Sequence, residues 1–222
     1  QALGIRWNHF SEEGITDNDL LTEAAWGLRF ILKMQDPETG MIFEEVGAGG
    51  DARKQPGMSW WYENHSGCLA DNSENHFTDN LPKSGDERTI RVSYNPVVQY
   101  TNLFILLRAA EGIKEALPQL AGDCLTSAKA VWRFVSEKVG KDPMHDWTVV
   151  RAWRLMAGRC LLKAGMIDPE ELEHMIKDLL DNHSDKTGFW CMDKNCRDPY
   201  RGVLHSAQPL IALVNILQDF PD

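Results

Sequence analysis

The sequence predicts an all-α fold of consecutive helical hairpins, an α/α toroid or a partial toroid, with long loops gathered at one end. Two observations carry this. Helix-period apolar patterns recur along the 222-residue chain, set off by capping residues and prolines. There is also an internal repeat: Asp36-Pro37-Glu38-Thr39-Gly40-Met41-Ile42 resembles Asp185-Lys186-Thr187-Gly188-Phe189-Trp190. Each copy follows an amphipathic helix, precedes a polar loop and leads to a more hydrophobic helix. Arranged in a ring, such units put helices that are apolar all round inside and amphipathic ones outside. Two unrelated helix ends capped by glycine would give the same turns. The hydrophobic character alternates along with the turns, which favours the ring.

The first helix is expected over about 17–35, with Asp17 as its cap and Leu20, Leu21, Ala24, Leu28, Ile31 and Leu32 at helical spacing. Asp36 to Gly40 stops it, and Met41-Ile42-Phe43 reads as a short extended piece. A polar segment of about fifty residues follows, long enough to suggest a functional loop. Asn95-Pro96 opens a helix over about 95–116 that is apolar on nearly every face, and is therefore expected among the most buried. Pro118 opens the next, over about 118–138, and Asp146 is expected to cap one over about 146–164. Asp168-Pro169-Glu170-Glu171 opens a fifth, over about 168–181, with acids where the helix dipole favours them. The last is expected over about 204–218, and almost no sheet is expected anywhere.

Composition bounds the function. The net charge of −10 and the pI of about 5.2 argue against nucleic acid as a partner, because neutralising phosphates takes an excess of Lys and Arg. No apolar run is long enough to span a membrane. The chain begins with Gln and shows no secretory signal, as expected of a processed chain or a piece of a longer one. Among five cysteines, Cys124 and Cys160 lie in apolar helical patterns and read as buried thiols. Cys191 and Cys196 either pair across a loop or, with His205, hold zinc; no metal-ligand spacing supports the zinc, and no cofactor is expected. The sequons at Asn64 and Asn182 matter only in a glycosylating compartment.

The stretch Leu20-Leu21-Thr22-Glu23-Ala24-Ala25-Trp26-Gly27-Leu28-Arg29-Phe30-Ile31-Leu32-Lys33-Met34-Gln35-Asp36 resembles the helix of glycoside hydrolase family nine that carries a Glu, Trp-Gly-Leu, Leu-Leu-Lys-Met-Gln pattern. Val46-Gly47-Ala48-Gly49-Gly50-Asp51 and Trp60-Trp61-Tyr62-Glu63 look like the loop that follows it there. The resemblance covers roughly residues 17–165 and is most specific in the first helix. It implies a six-hairpin glycosidase-like toroid, of which this chain would be a fragment or part, treated as one domain over 1–222. It also implies inverting acid/base hydrolysis of a β-linked glucan or related glycan, and slightly favours an extracellular location. The family's base lies in an Asp-Ala-Gly-Asp motif that this sequence lacks, and its acid lies in a region with no counterpart here, so no catalytic pair carries over.

The residues themselves mark a candidate sugar site. Trp60, Trp61 and Tyr62 stand beside Glu63, Asn64 and His65, and Asp51 precedes them. Sugar rings stack on aromatic faces while their hydroxyls need polar partners. Neighbouring side chains of an extended stretch point opposite ways, so at least one of the two tryptophans is expected to face a ligand. Arg201 and His205, with Trp190, are the matching candidates in the second repeat; pairing of Arg201 with Asp198 in a helix-entry turn explains them equally. Asp71, Glu74, Asp79, Asp86 and Glu87 read as a generic acidic loop, though inverting hydrolysis needs two carboxyls about 6.5–9.5 Å apart. Arg88 and Arg91 read as salt-bridge partners, and His145 and His174 as structural. The expected partner is an oligo- or polysaccharide, with another copy or chain completing the ring. Two further readings stand beside this: a non-catalytic helical domain that binds a glycan or a protein, and a terpenoid-cyclase or prenyltransferase-like toroid. The turn from Gln35 to Gly40 is similar to the repeats of the latter, but their acid and diphosphate motifs are missing.

Overall fold

A computed structural model describes residues 17–47, 89–200 and 207–217. Among these the chain is mostly helical: α1 (Asp17–Lys33), α2 (Pro96–Gly112), α3 (Pro118–Ser136), α4 (Thr148–Lys163), α5 (Pro169–Leu180) and α6 (Gln208–Leu217). Sheet is confined to two short antiparallel pairs, β1 (Glu45–Gly47) with β2 (Thr89–Arg91) and β3 (His183–Ser184) with β4 (Phe189–Trp190). The chain divides into two compact units, residues 1–42 with 96–222, and residues 43–95.

All six helices lie in the first unit. The direction of each follows from which residues meet. Tyr100 touches His145, and Phe104 lies 6.1 Å from Trp153 between ring centres, so α2 and α4 run parallel. Met156 meets Gln208 and Arg159 meets Asn215, so α6 is parallel to α4. The outer partners run the other way. Arg154 pairs with Asp178 while Gly158 faces Leu172 and Met175, which makes α5 antiparallel to α4. α3 returns along α2 after a short turn closed by Leu117 N–H on the Ile113 carbonyl. α1 packs on both α2 and α3. The three parallel helices α2, α4 and α6 thus form one row, with α4 in the middle, and counter-running helices pack against them.

The turns explain the boundaries. α5 is capped by the Asp168 carboxylate, which accepts from Glu171 N–H at 2.8 Å, with Pro169 at the first helical position. Pro118 plays the same part in α3. After α1, Asp36 accepts from Thr39 Oγ1 at 2.6 Å and Glu38 N–H at 3.0 Å, and Gly40 takes φ +84°. The second repeat makes a similar turn, with Gly188 at φ +71°. Both turns lead into a paired extended segment, Gln35 bridging Ile42 in one and β3–β4 in the other.

One expectation, the cap of α4, needs correction. α2 is among the more buried helices, with Gln99, Tyr100, Leu103 and Leu106 wholly enclosed, although Ile105 is 37% exposed and α4 buries more of its residues. α4 sits in the middle of the row, and its arginines are held by partners around it: Arg151 by Asp146, Arg154 by Asp178 and Arg159 by the Asn215 amide. Asp146 does not cap α4; Trp147 takes the cap position without a side-chain bond, and Asp146 pairs with cations instead. The Asn182 sequon is not an accessible acceptor, because Asn182 is fully buried and its amide is hydrogen-bonded at both ends.

In the second unit, β1 and β2 pair with Glu45 opposite Arg91, Val46 opposite Ile90 and Gly47 opposite Thr89. Below this ladder the Glu44 carboxylate accepts from Ser93 Oγ and, at 2.9 Å, from Asn95 Nδ2. The long polar segment is therefore stitched at its base by a ladder that its sequence did not announce.

Candidate functional site

The chemistry-bearing residues of the first unit converge where α4 begins. A single turn, Pro143–Asp146, leads into it, capped by Asp142 on Met144 N–H at 2.9 Å. The turn buries His145 against Tyr100, the ring centres 5.7 Å apart and edge to face, with Tyr100 Oη 3.3 Å from His145 Nδ1. Burial holds the His145 pKa below its ordinary value; Asp142 and Asp146 pull it up and Arg154 pushes it down. Burial also drives the Tyr100 pKa well up. Both rings are therefore neutral near pH 7 and pack as structure, as expected for His145.

The next residue, Asp146, sits between two cations. Its Oδ1 accepts from Arg151 at 2.8 Å and its Oδ2 from Lys194 at 2.8 Å. Partial burial pushes its pKa up, but the hydrogen bonds from Lys194 and Arg151 and their charges outweigh this, and the net shift is downward. Asp146 is thus a fixed anion that holds no proton to donate. Arg151 is nearly buried and fully employed: it also donates to the Asp178 carbonyl and to Asn182 Oδ1 at 2.8 Å. Asn182 in turn donates to the Asp146 carbonyl at 2.9 Å and to Thr148 Oγ1 at 2.8 Å.

This network clamps the loop that follows β4. Thr148 donates its hydroxyl to the Cys191 carbonyl and its N–H to the Met192 carbonyl at 2.9 Å. Cys191 and Cys196 form a disulfide, which resolves the alternatives left by the sequence; the loop between them delivers Lys194 to Asp146. Beyond it Met192 N–H donates to the Asp198 carbonyl at 2.9 Å, and Tyr200 N–H to the Trp190 carbonyl at 2.6 Å. Trp190 packs edge-on against His183, ring centres 5.1 Å apart. Burial raises the Tyr200 pKa to about 12. Trp147, beside Asp146, keeps 40% of its surface in solvent. The start of α4 thus carries an exposed indole next in sequence to a carboxylate that two cations hold, and Trp190 and Tyr200 lie at the two ends of the clamped loop.

Asp51, Trp60, Trp61, Tyr62, Glu63, His65, Arg201 and His205 lie outside the described residues, as do Asp71, Glu74, Asp79, Asp86, Glu87 and Arg88, and most of the segment between Val46 and Tyr94. Trp190, Asp198 and Tyr200 are described, and the structure brings the first and last together on the clamped loop. Sequence reasoning missed Trp147, Arg151, Asn182 and Lys194. The five-residue spacing from Asp146 to Arg151 is the one local signal that could have flagged the pair. Among the described residues no group of three or more His, Cys, Asp or Glu is placed to hold a metal ion. No described helix is long and apolar enough to cross a membrane. Comparison with family models, with curated proteins and with solved structures found no match for this chain.

Proposed function

We propose that the chain is an arc of an α/α toroid of the glycosidase-like kind and binds a β-linked glycan at the end where its inner helices begin. The observation that carries this reading is the row of three parallel helices, α2, α4 and α6, with counter-running helices packed on it. Successive αα hairpins of one hand generate such a row, and a ring of them buries one end of each inner helix under loops. The clamped loop with Trp190 and Tyr200, and the exposed Trp147, belong to that end. An aromatic face beside fixed charged groups suits a pyranose, which offers an apolar face and a rim of hydroxyls. The likeness of residues 20–36 to family nine adds to the same reading.

The reading also accounts for α6, whose Leu210, Val214 and Leu217 remain exposed on one face. That is where the next hairpin of a ring would pack. Hydrolysis by inversion would take an acid and a base; Asp146 is held by two cations and supplies neither a proton nor a free base. The catalytic pair of an active form would therefore come from elsewhere in the protein, and a glycan-binding arc without turnover is the alternative. A panel of β-linked oligosaccharides, read first by thermal shift and then for product, tests both parts. Stabilisation with product supports the hydrolase, and stabilisation without product supports the binding module. A response to isoprenyl diphosphates instead would favour the terpenoid-type toroid.

A further inference from the structure

The far end of the same unit carries a cavity of about 310 Å³ where α2 and α4 finish. α4 is about 24 Å long at 1.5 Å per residue, so this cavity is well separated from the surface around Trp147. Leu107 from α2, Leu125 from α3 and the thiol of Cys160 from α4 give it an apolar lining, and Lys114, Lys163 and Glu111 complete it. Both lysines are exposed at the surface end. Glu111 is already engaged by Arg108 at 3.4 Å. The lining thus carries two lysines against one glutamate that is itself paired with an arginine, a cationic rim in a chain of net charge −10. A lysine near a helix C-terminus has a reason of its own, the helix dipole. The dipole does not explain an apolar cavity between two such lysines.

We propose that this cavity binds a small carboxylate with a short apolar tail, its carboxylate between Lys114 and Lys163 and its tail against Leu107, Leu125 and Cys160. The volume lies at the lower end of the range of about 300–1,000 Å³ for small-molecule sites, which suits a short tail. The charge at the rim selects an anion, and the leucines select an aliphatic tail over a sugar. Burial holds the Cys160 thiol in its protonated form, so it packs against the ligand and forms no bond to it. The site is independent of the glycan reading.

Hexanoate is the probe, and site-resolved alkylation of Cys160 by a maleimide is the readout. Hexanoate slows alkylation of Cys160 saturably and leaves Cys124 unchanged, whereas 1-hexanol and hexylamine protect far less. The double variant Lys114→Gln, Lys163→Gln weakens the hexanoate effect by about tenfold while the protein stays folded by circular dichroism. Leu125→Trp fills the cavity and removes the protection. Absence of protection, equal protection by hexanol, equal slowing at Cys124, or an unaffected double variant would each overturn the proposal.

Discussion

The side-chain amide of Gln99 grips both backbone polar groups of Ile42, accepting from its N–H at 2.8 Å and donating to its carbonyl at 2.7 Å. Gln99 is fully buried in α2, and Ile42 ends the turn that follows α1. A side chain thus does the work of a neighbouring strand. In the second repeat Thr148 does the corresponding job, holding the carbonyls of Cys191 and Met192 from the start of α4. In both repeats, the beginning of a helix in the parallel row fastens the extended segment that leaves a Thr-Gly turn.

Replacing Gln99 with Leu strands the Ile42 N–H and carbonyl in an apolar setting. The expected loss is about 2–4 kcal/mol, since each orphaned buried group costs about 1–3 kcal/mol. Chemical denaturation measures it. A loss below about 1 kcal/mol would mean that water replaces the amide.

The two repeat glycines should respond differently to alanine. Both have positive φ, which costs a residue with a Cβ about 1–2 kcal/mol. A Cβ at Gly40 would also lie 2.7 Å from the Ala130 carbonyl oxygen, a backbone atom, whereas at Gly188 it meets open space. Gly40→Ala should therefore destabilise clearly more than Gly188→Ala in thermal melts, and equal losses would contradict the packing.

His145 and Asp146 divide the acid side of the stability profile. The folded-state pKa of His145 lies below its ordinary value, so the unfolded chain binds the extra proton first. Its contribution is complete above about pH 6.5 and declines as pH falls below that, levelling off beneath the folded-state pKa. His145→Gln should flatten the slope of denaturation free energy just below about pH 6.5. Asp146 also titrates low when folded. Its contribution persists above the ordinary carboxyl range and is lost only as pH falls through its own folded-state pKa. Asp146→Asn should differ from the parent at neutral pH and converge with it in strong acid. A flattened slope near pH 6 from Asp146→Asn would reverse the assignment.

Arg151 shows where sequence reading stops. The helix positions were legible from local signals: Pro118, Asp168-Pro169 and the turn from Asp36 to Gly40 each act within a few residues. An arginine in the first turn of α4, one of three in that helix, reads as a solvated charge. Its burial depends on Asp146, the Asp178 carbonyl and Asn182, the last two across an antiparallel helix and its end. The same holds for Gln99, whose partner lies fifty-seven residues earlier. Trp147 was legible as an aromatic but not as exposed, because exposure depends on what the clamped loop leaves uncovered. Arg151→Met should cost about 1–3 kcal/mol, since it leaves the buried Asn182 Oδ1 without its donor while Asp146 keeps Lys194. A melting temperature close to the parent's would show that Lys194 alone compensates.

The central claim is glycan binding at the end where α4 begins, and calorimetric titration of a β-linked gluco-oligosaccharide into the parent and Trp147→Ala proteins tests it most directly. The account predicts saturable binding by the parent and affinity weaker by about tenfold or more in Trp147→Ala, as for a truncated aromatic hot spot, in a variant that circular dichroism shows to be folded. No binding by the parent across the series, or undiminished binding by Trp147→Ala, would contradict it.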